Sequence, residues 1–231
     1  MAGDIREHAR CSLMFTLYVA ISSYSHDVVE ISHAEVMITI PGTWRALPVW
    51  RVSDHSAYDL RVMADSPYET VFRGLAVSGV DYLVVGGVAV VLHGHLRFTA
   101  DLDLVLSLDP ENVATAVTAF AGMGFLPRAP VPLADFADAT KRKEWTEERG
   151  MVVFSLWHPQ MPGLEVDIFL DEPLPFSEAA VRSVRISMGE FAVPVVGIED
   201  LIALKRAVGR PVDLADIERL EAIRRERAKD G

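Results

Sequence analysis

The segment YLVVGGVAVVLHGHLRFTADLDLV, residues 82–105, constrains the fold of this chain more than any other stretch. It reads as a buried strand, a glycine turn, a short helix from about residue 87 and a second strand that carries two aspartates. Asp101 and Asp103 are two positions apart in a strand-like run, so both carboxylates leave the same face. Two carboxylates crowded together resist joint ionisation. A hard cation such as Mg²⁺, which takes carboxylate and phosphate oxygens, relieves that repulsion. Gly86 and Gly87 follow the apolar run 82–85. Glycines there let the backbone approach a phosphate, and the N–H groups of the following helix start can point at it. Each part has a plainer reading alone: an Asp pair at a strand end that faces water, and a Gly-Gly that only turns the chain. Asp167 lies in a third strand-like run, LEVDIFL at 164–170. A carboxylate among apolar neighbours either faces solvent or joins a charged site. Three aspartates on neighbouring strands supply what two-metal phosphoryl transfer needs: two shared by both ions and one that orients the attacking hydroxyl.

The pattern GG-x-A-x-x-x-HG-x-x-R-x-T-x-DLD at 86–103 is followed by VDIF at 166–169 and DLIALKRAVGRPVDLADIERL at 200–220. Together these resemble the polymerase-beta-type nucleotidyltransferase superfamily, in particular its minimal nucleotidyltransferase and abortive-infection toxin-like branch. The resemblance spans roughly residues 66–222. It implies an α/β (α+β) nucleotidyltransferase fold, a small mixed sheet flanked by helices. It implies Asp101, Asp103 and Asp167 as catalytic metal ligands, with Asp167 as the third carboxylate. It places Gly86 and Gly87 at a triphosphate, Arg97 and Thr99 just before the metal pair, and Lys205 near the nucleotide phosphates. Asp213 and Asp216 match acidic positions that shape the site. The implied cofactor is Mg²⁺, two ions, with Mn²⁺ as a substitute. The implied chemistry moves a nucleoside monophosphate from a nucleoside triphosphate such as ATP to an acceptor hydroxyl. The implied partners are an RNA or tRNA acceptor and an antitoxin protein. One position departs from the pattern: many active members carry Ser after the first glycine, where this chain has Gly87. That departure motivates a second reading, a degenerate nucleotide- or partner-binding module without turnover. Transfer to a small molecule such as an antibiotic is a third.

The chain has 231 residues, half of them apolar, and a net charge of −11. That balance argues against indiscriminate nucleic-acid binding, which depends on neutralising phosphates, but permits a local basic groove. Lys141 to Lys143 and the cations of the last helix read first as solvated helix faces. A single cysteine, Cys11, leaves no internal disulfide and fits a reducing cytoplasm. No apolar run approaches the roughly 20 residues that cross a bilayer, so no membrane partner is expected. The apolar run at 13–21 sits beside Asp4 and Glu7 and is not expected to be a secretion signal.

Residues 1–64 carry apolar runs without a clear period and no motif that reads as chemistry. Three readings compete: a small extension with a few strands, a largely disordered segment, or a start set too early, with the true start near Met63. The orderly domain is expected over 65–231. Ser66, Pro67 and Glu69 read as a capped helix start, with Tyr68, Val71, Phe72, Leu75 and Ala76 on one apolar face. His93 and His95 sit at the end of the next helix, where the helix dipole favours a charged imidazole. Further strands are expected at 151–157, 183–187 and 191–196. The strand at 151–157 should lie antiparallel to that of Asp167, because the connection is short. Lys205 falls on a helix beginning near residue 198. The last helix should bury Leu214, Ile217, Leu220 and Ile223 and end in a frayed, charged tail.

Overall fold

The computed structural model describes residues 35–40, 43–48 and 67–230. The chain divides into two compact units, Met1–Tyr58 and Asp59–Gly231. In the first, β1 (Glu35–Ile40) and β2 (Thr43–Pro48) form an antiparallel pair. The expected start near Met63, the cap at Ser66 and most of the 1–64 extension lie outside the described residues.

The second unit is a mixed α/β domain. It runs α1 (Pro67–Ser78), β3 (Tyr82–Val84), α2 (Gly86–Leu92), β4 (Asp101–Leu106), α3 (Pro110–Met123) and β5 (Leu126–Pro127). A 3-10 turn at Leu133–Ala137 leads into α4 (Ala139–Arg149), then β6 (Val153–Trp157) and β7 (Glu165–Phe169). The chain closes with α5 (Phe176–Arg182), β8 (Val184–Met188), β9 (Phe191–Val195), α6 (Ile198–Val208) and α7 (Pro211–Asp230). Seven strands form one sheet in the order β5-β6-β7-β4-β3-β9-β8. The β4–β7 and β3–β9 pairs are parallel and the others antiparallel. Among the described residues, no helix is long and apolar enough to cross a membrane.

Strand alternation gives the central sheet two unlike faces. Leu102, Leu104, Val166, Ile168, Phe154 and Leu156 point one way and are buried. Asp103, Glu165, Asp167, Ser155 and Trp157 point the other way and are half-buried, with Asp101 exposed beside them. Each large apolar side chain of the core contributes about 1.5–3 kcal/mol by leaving water. That apolar face therefore fixes the register, because a one-residue slip would send its leucines to the open face. Asp109 caps α3 by accepting from the Glu111 N–H, and Gly124 ends it in the left-handed region at φ +87°. Trp145 anchors the charged helix α4 by stacking on Phe154, ring centroids 5.2 Å apart.

Three expectations change here. His93 is buried, its Nε2 lies 2.8 Å from the Val196 carbonyl, and burial lowers its pKa. It is a neutral structural side chain rather than a charged helix end. The tail of α7 stays helical to Asp230, and Arg227 Nη2 donates to the His93 carbonyl at 3.1 Å. Arg142 is not on a solvated face: it is 7 % exposed and donates to the Phe136 carbonyl at 2.7 Å.

Candidate active site

The site is built on the junction of β3, α2, β4 and β7. In the parallel β4–β7 ladder, Asp101 stands opposite Glu165 and Asp103 opposite Asp167. Neighbours in register share a face, so four carboxylates form a two-by-two block on the open side of the sheet. On the far side of β7, Ser155 stands opposite Asp167 and Trp157 opposite Glu165. Arg128 closes that edge. It holds Glu165 through two hydrogen bonds of 3.0 and 3.3 Å and lies 5.8 Å from the centre of the Trp157 ring.

Crowding shows in the acid chemistry. Burial pushes Asp103 up to about 6, helped by the charges of Asp167 and Asp101 and opposed by the Gly87 N–H and Lys205. Burial also raises Asp167, with Glu165 and Asp101 adding to it and the Ser155 hydroxyl opposing. Asp167 Oδ1 is buried and has no hydrogen-bond partner among the described residues. An orphaned carboxylate oxygen beside a second crowded carboxylate is a donor set that suits a hard divalent cation. Asp101, Asp103 and Asp167 are the residues that could hold one. Among the described residues, no group of three or more His, Cys, Asp or Glu side chains converges on one point as they stand.

Gly86 and Gly87 begin α2 directly beside this block. Gly86 has φ +62°, and a Cβ there would overlap the Asp103 carboxylate. A Cβ at Gly87 would overlap Thr99 Oγ1 and the Arg97 guanidinium. The glycines are thus packed against the predicted site residues rather than merely turning the chain. Gly86→Ala combines the left-handed backbone penalty with a clash, and should cost about 2–4 kcal/mol. Thermal melting of the variant checks this; a melting point equal to wild type would show that Asp103 moves aside freely.

Lys205, Asp213 and Asp216 form a buried charge network between α6 and α7, each less than 5 % exposed. Lys205 Nζ lies 2.8 Å from Asp216 Oδ2 and 3.4 Å from Asp213 Oδ1. Arg97 Nε lies 3.2 Å from Asp216 Oδ1. Both the Arg97 Nε–Asp216 Oδ1 and the Lys205 Nζ–Asp216 Oδ2 contacts are ion pairs without hydrogen-bond alignment. Arg97 Nη1 donates to the Phe98 carbonyl at 3.0 Å. Thr99 Oγ1 donates weakly to the Asp101 carbonyl at 3.4 Å.

All eight predicted site residues therefore meet in one region, and the structure adds three more. The Tyr68 hydroxyl is 3.1 Å from both the Thr99 and Ala100 carbonyls, tying α1 to the segment that enters β4. Its phenol is raised by burial and then by Asp101 and Asp103, which puts it under the field of the pair. Glu165, opposite Asp101, belongs to the carboxylate block. Arg210 pairs with Asp213. By contrast, a groove of about 890 Å³ between α1 and α3, lined by Arg73, Gly74, Val77 and Met123 among others, contains no predicted site residue.

Solved structures similar to this chain include an antibiotic adenylyltransferase and a protein described provisionally as a nucleotidyltransferase. The lincosamide antibiotic adenylyltransferase LnuA, with lincomycin bound, matches with a TM-score of 0.47 at 15% identity, over 69% of this chain and 97% of that one. A Thermotoga maritima protein provisionally described as a nucleotidyltransferase matches at 0.45 and 14% identity, over 76% and 99%. ANT(2")-Ia in complex with adenylyl-2"-tobramycin matches at 0.42 and 13% identity, over 74% and 99%. No family model matches the chain, and no curated protein does.

Proposed function

We propose that this protein is a metal-dependent nucleotidyltransferase that moves a nucleoside monophosphate from a nucleoside triphosphate to an acceptor hydroxyl. The observation that carries the reading is the β4–β7 register, which sets Asp103 beside Asp167 and Asp101 beside Glu165 on an open face next to Gly86. Asp101, Asp103 and Asp167 would hold Mg²⁺, two ions by the resemblance, with Mn²⁺ as a substitute. Such an ion, when bound, supplies positive charge to the transferring phosphoryl group. Gly86, Gly87, Arg97 and Thr99 line the phosphate side, and Lys205 contributes its charge from beneath. In the transfer, the acceptor oxygen bonds to the α-phosphorus and the bond to the bridging oxygen breaks. Pyrophosphate leaves with the electron pair. The acceptor proton passes to Asp167, which stands beside Asp103 on the open face of the sheet. Such chemistry depends on positioning and charge.

The resemblance extends the reading to an RNA or tRNA acceptor, a toxin-like role in the cytoplasm and an antitoxin partner. A second reading is a nucleotide- or partner-binding module without turnover. It is favoured by Gly87, which stands where many active members of the resembled superfamily carry Ser. Purified protein with Mg²⁺, each of four α-labelled nucleoside triphosphates and either total RNA or a small-molecule extract separates them. Label reaching an acceptor with wild type but not with Asp167→Ala is the expected result, and the labelled fraction identifies the acceptor class. Magnesium-dependent nucleotide binding with no transfer to either fraction would sink the enzyme reading.

A further inference from the structure

Three cations surround the buried pair Asp213 and Asp216, and they are unequally available. Lys205 is 4 % exposed and has a carboxylate oxygen of each aspartate within 3.4 Å. Arg97 is engaged by the Phe98 carbonyl, by Asp216 and by the surface of Gly87. Arg210 is different: its side chain is 66 % exposed.

Its backbone is nevertheless fixed. Gly209 ends α6 in the left-handed region, and its N–H donates to the Lys205 carbonyl at 2.9 Å. The Arg210 N–H donates to Asp213 Oδ2 at 3.1 Å. The guanidinium then donates to Asp213 through one edge, Nε to Oδ2 at 2.8 Å and Nη2 to Oδ1 at 3.2 Å. Its Nη1 group has no partner among the described residues. A guanidinium held by one edge, with its other donors facing water, is preoriented for a second anion. Asp213 aims it, and buried Lys205 in turn holds Asp213. The charges of Asp103 and Asp216 both act on Arg210, which places it within the field of the carboxylate block.

We propose that Arg210 is a further direct phosphate ligand of the nucleotide site, taking the β- and γ-phosphates that leave as pyrophosphate. Lys205 is the internal counter-charge that positions it through Asp213. This assignment rests on the nucleotidyltransferase reading. A surface arginine that only caps α7 would stabilise the helix and be blind to phosphate number.

Calorimetric titration of the full chain with Mg²⁺ distinguishes these roles. The probes are each of the four nucleoside triphosphates, the monophosphate of the tightest binder, and inorganic pyrophosphate. Losing a charge-assisted bond should weaken triphosphate and pyrophosphate binding of Arg210→Ala by roughly 10- to 100-fold, with the monophosphate unchanged. Arg210→Lys should recover part of the loss, because it keeps the charge without the fork. Melting curves of both variants report any shared folding defect. Triphosphate binding by Arg210→Ala equal to wild type, or an equal loss for tri- and monophosphate, overturns the assignment alone. A wild type that binds none of the triphosphates overturns the nucleotide reading and this assignment with it.

Discussion

Asp103→Asn should melt several degrees above wild type in metal-free buffer near pH 7.5 and lose nucleotidyl transfer by about three orders of magnitude or more. The two effects have one cause. Folding raises the Asp103 carboxyl to about 6 from an ordinary 3.8, first by burial and then by Asp167. An acid raised on folding binds its proton more tightly in the native state, so its ionisation opposes folding. The penalty is absent below the unfolded value, grows as pH rises through the window from about 4 to 6, and is complete above it. A shift of that size corresponds to about 1–3 kcal/mol. In a domain of this length, each kcal/mol moves the melting point by roughly 2–4 °C. Asparagine removes the charge, keeps the shape and retains an oxygen for the Gly87 N–H. Wild type should therefore gain stability as pH falls from about 7.5 to 5, while the variant shows a flatter profile over that range. The same substitution removes a carboxylate from the proposed metal site, so added Mg²⁺ should raise the melting point of wild type more than that of the variant. Melting curves across pH, with and without Mg²⁺, test both limbs. A variant that melts lower than wild type without metal would show that the crowding of Asp103 is not a destabilising feature.

The pairing of Asp101 with Asp103 was legible because its cause is local. A period of two puts Asp101 and Asp103 on one face, and an apolar setting around Asp167 called for a partner. What stayed hidden depends on contacts across long separations. Tyr68 sits in an apolar helical stripe, and only the folded chain brings its hydroxyl to carbonyls 31 and 32 residues away. The face of α7 is a clearer case. Apolar spacing selected Leu214 with Ile217 and Leu220, but Leu214 is 54 % exposed, and Asp213 and Asp216 are buried beside Ile217 and Leu220. Hydrophobic periodicity treats aspartate as an outward residue, and here the α6–α7 packing supplies Lys205 as its counter-ion. Short elements also escaped notice. β5 is only Leu126–Pro127, too short to show alternation, and α5 spans seven residues, about two turns.

That buried counter-ion makes Lys205→Met a strongly destabilising change. The substitution keeps much of the apolar stem and removes the charge. Asp213 and Asp216 then remain buried with only Arg210 and Arg97 to balance them, and Arg97 meets Asp216 without hydrogen-bond alignment. Breaking one side of a buried ion pair costs about 3–5 kcal/mol, because the remaining charges lose their compensation. Replacing every member by a neutral group of similar shape costs much less. Asp216→Asn in the Lys205→Met background should therefore restore a large part of the loss, a coupling that independent sites would not show. The acid limb carries a second signature. Asp213 is held below its ordinary value by Arg210 first, against burial, with Lys205 adding to the lowering. A depressed carboxyl stabilises the fold above its unfolded pKa and loses that contribution as pH falls through the folded value. Removing Lys205 takes away part of the depression, so the variant should lose less on acidification below about pH 4 than wild type does. Denaturant titrations of the single and double variants at neutral and acid pH measure both terms. Equal stability of Lys205→Met and wild type would mean that the α6–α7 packing admits enough water to solvate the two aspartates, and Arg210 would then owe its orientation to Asp213 alone.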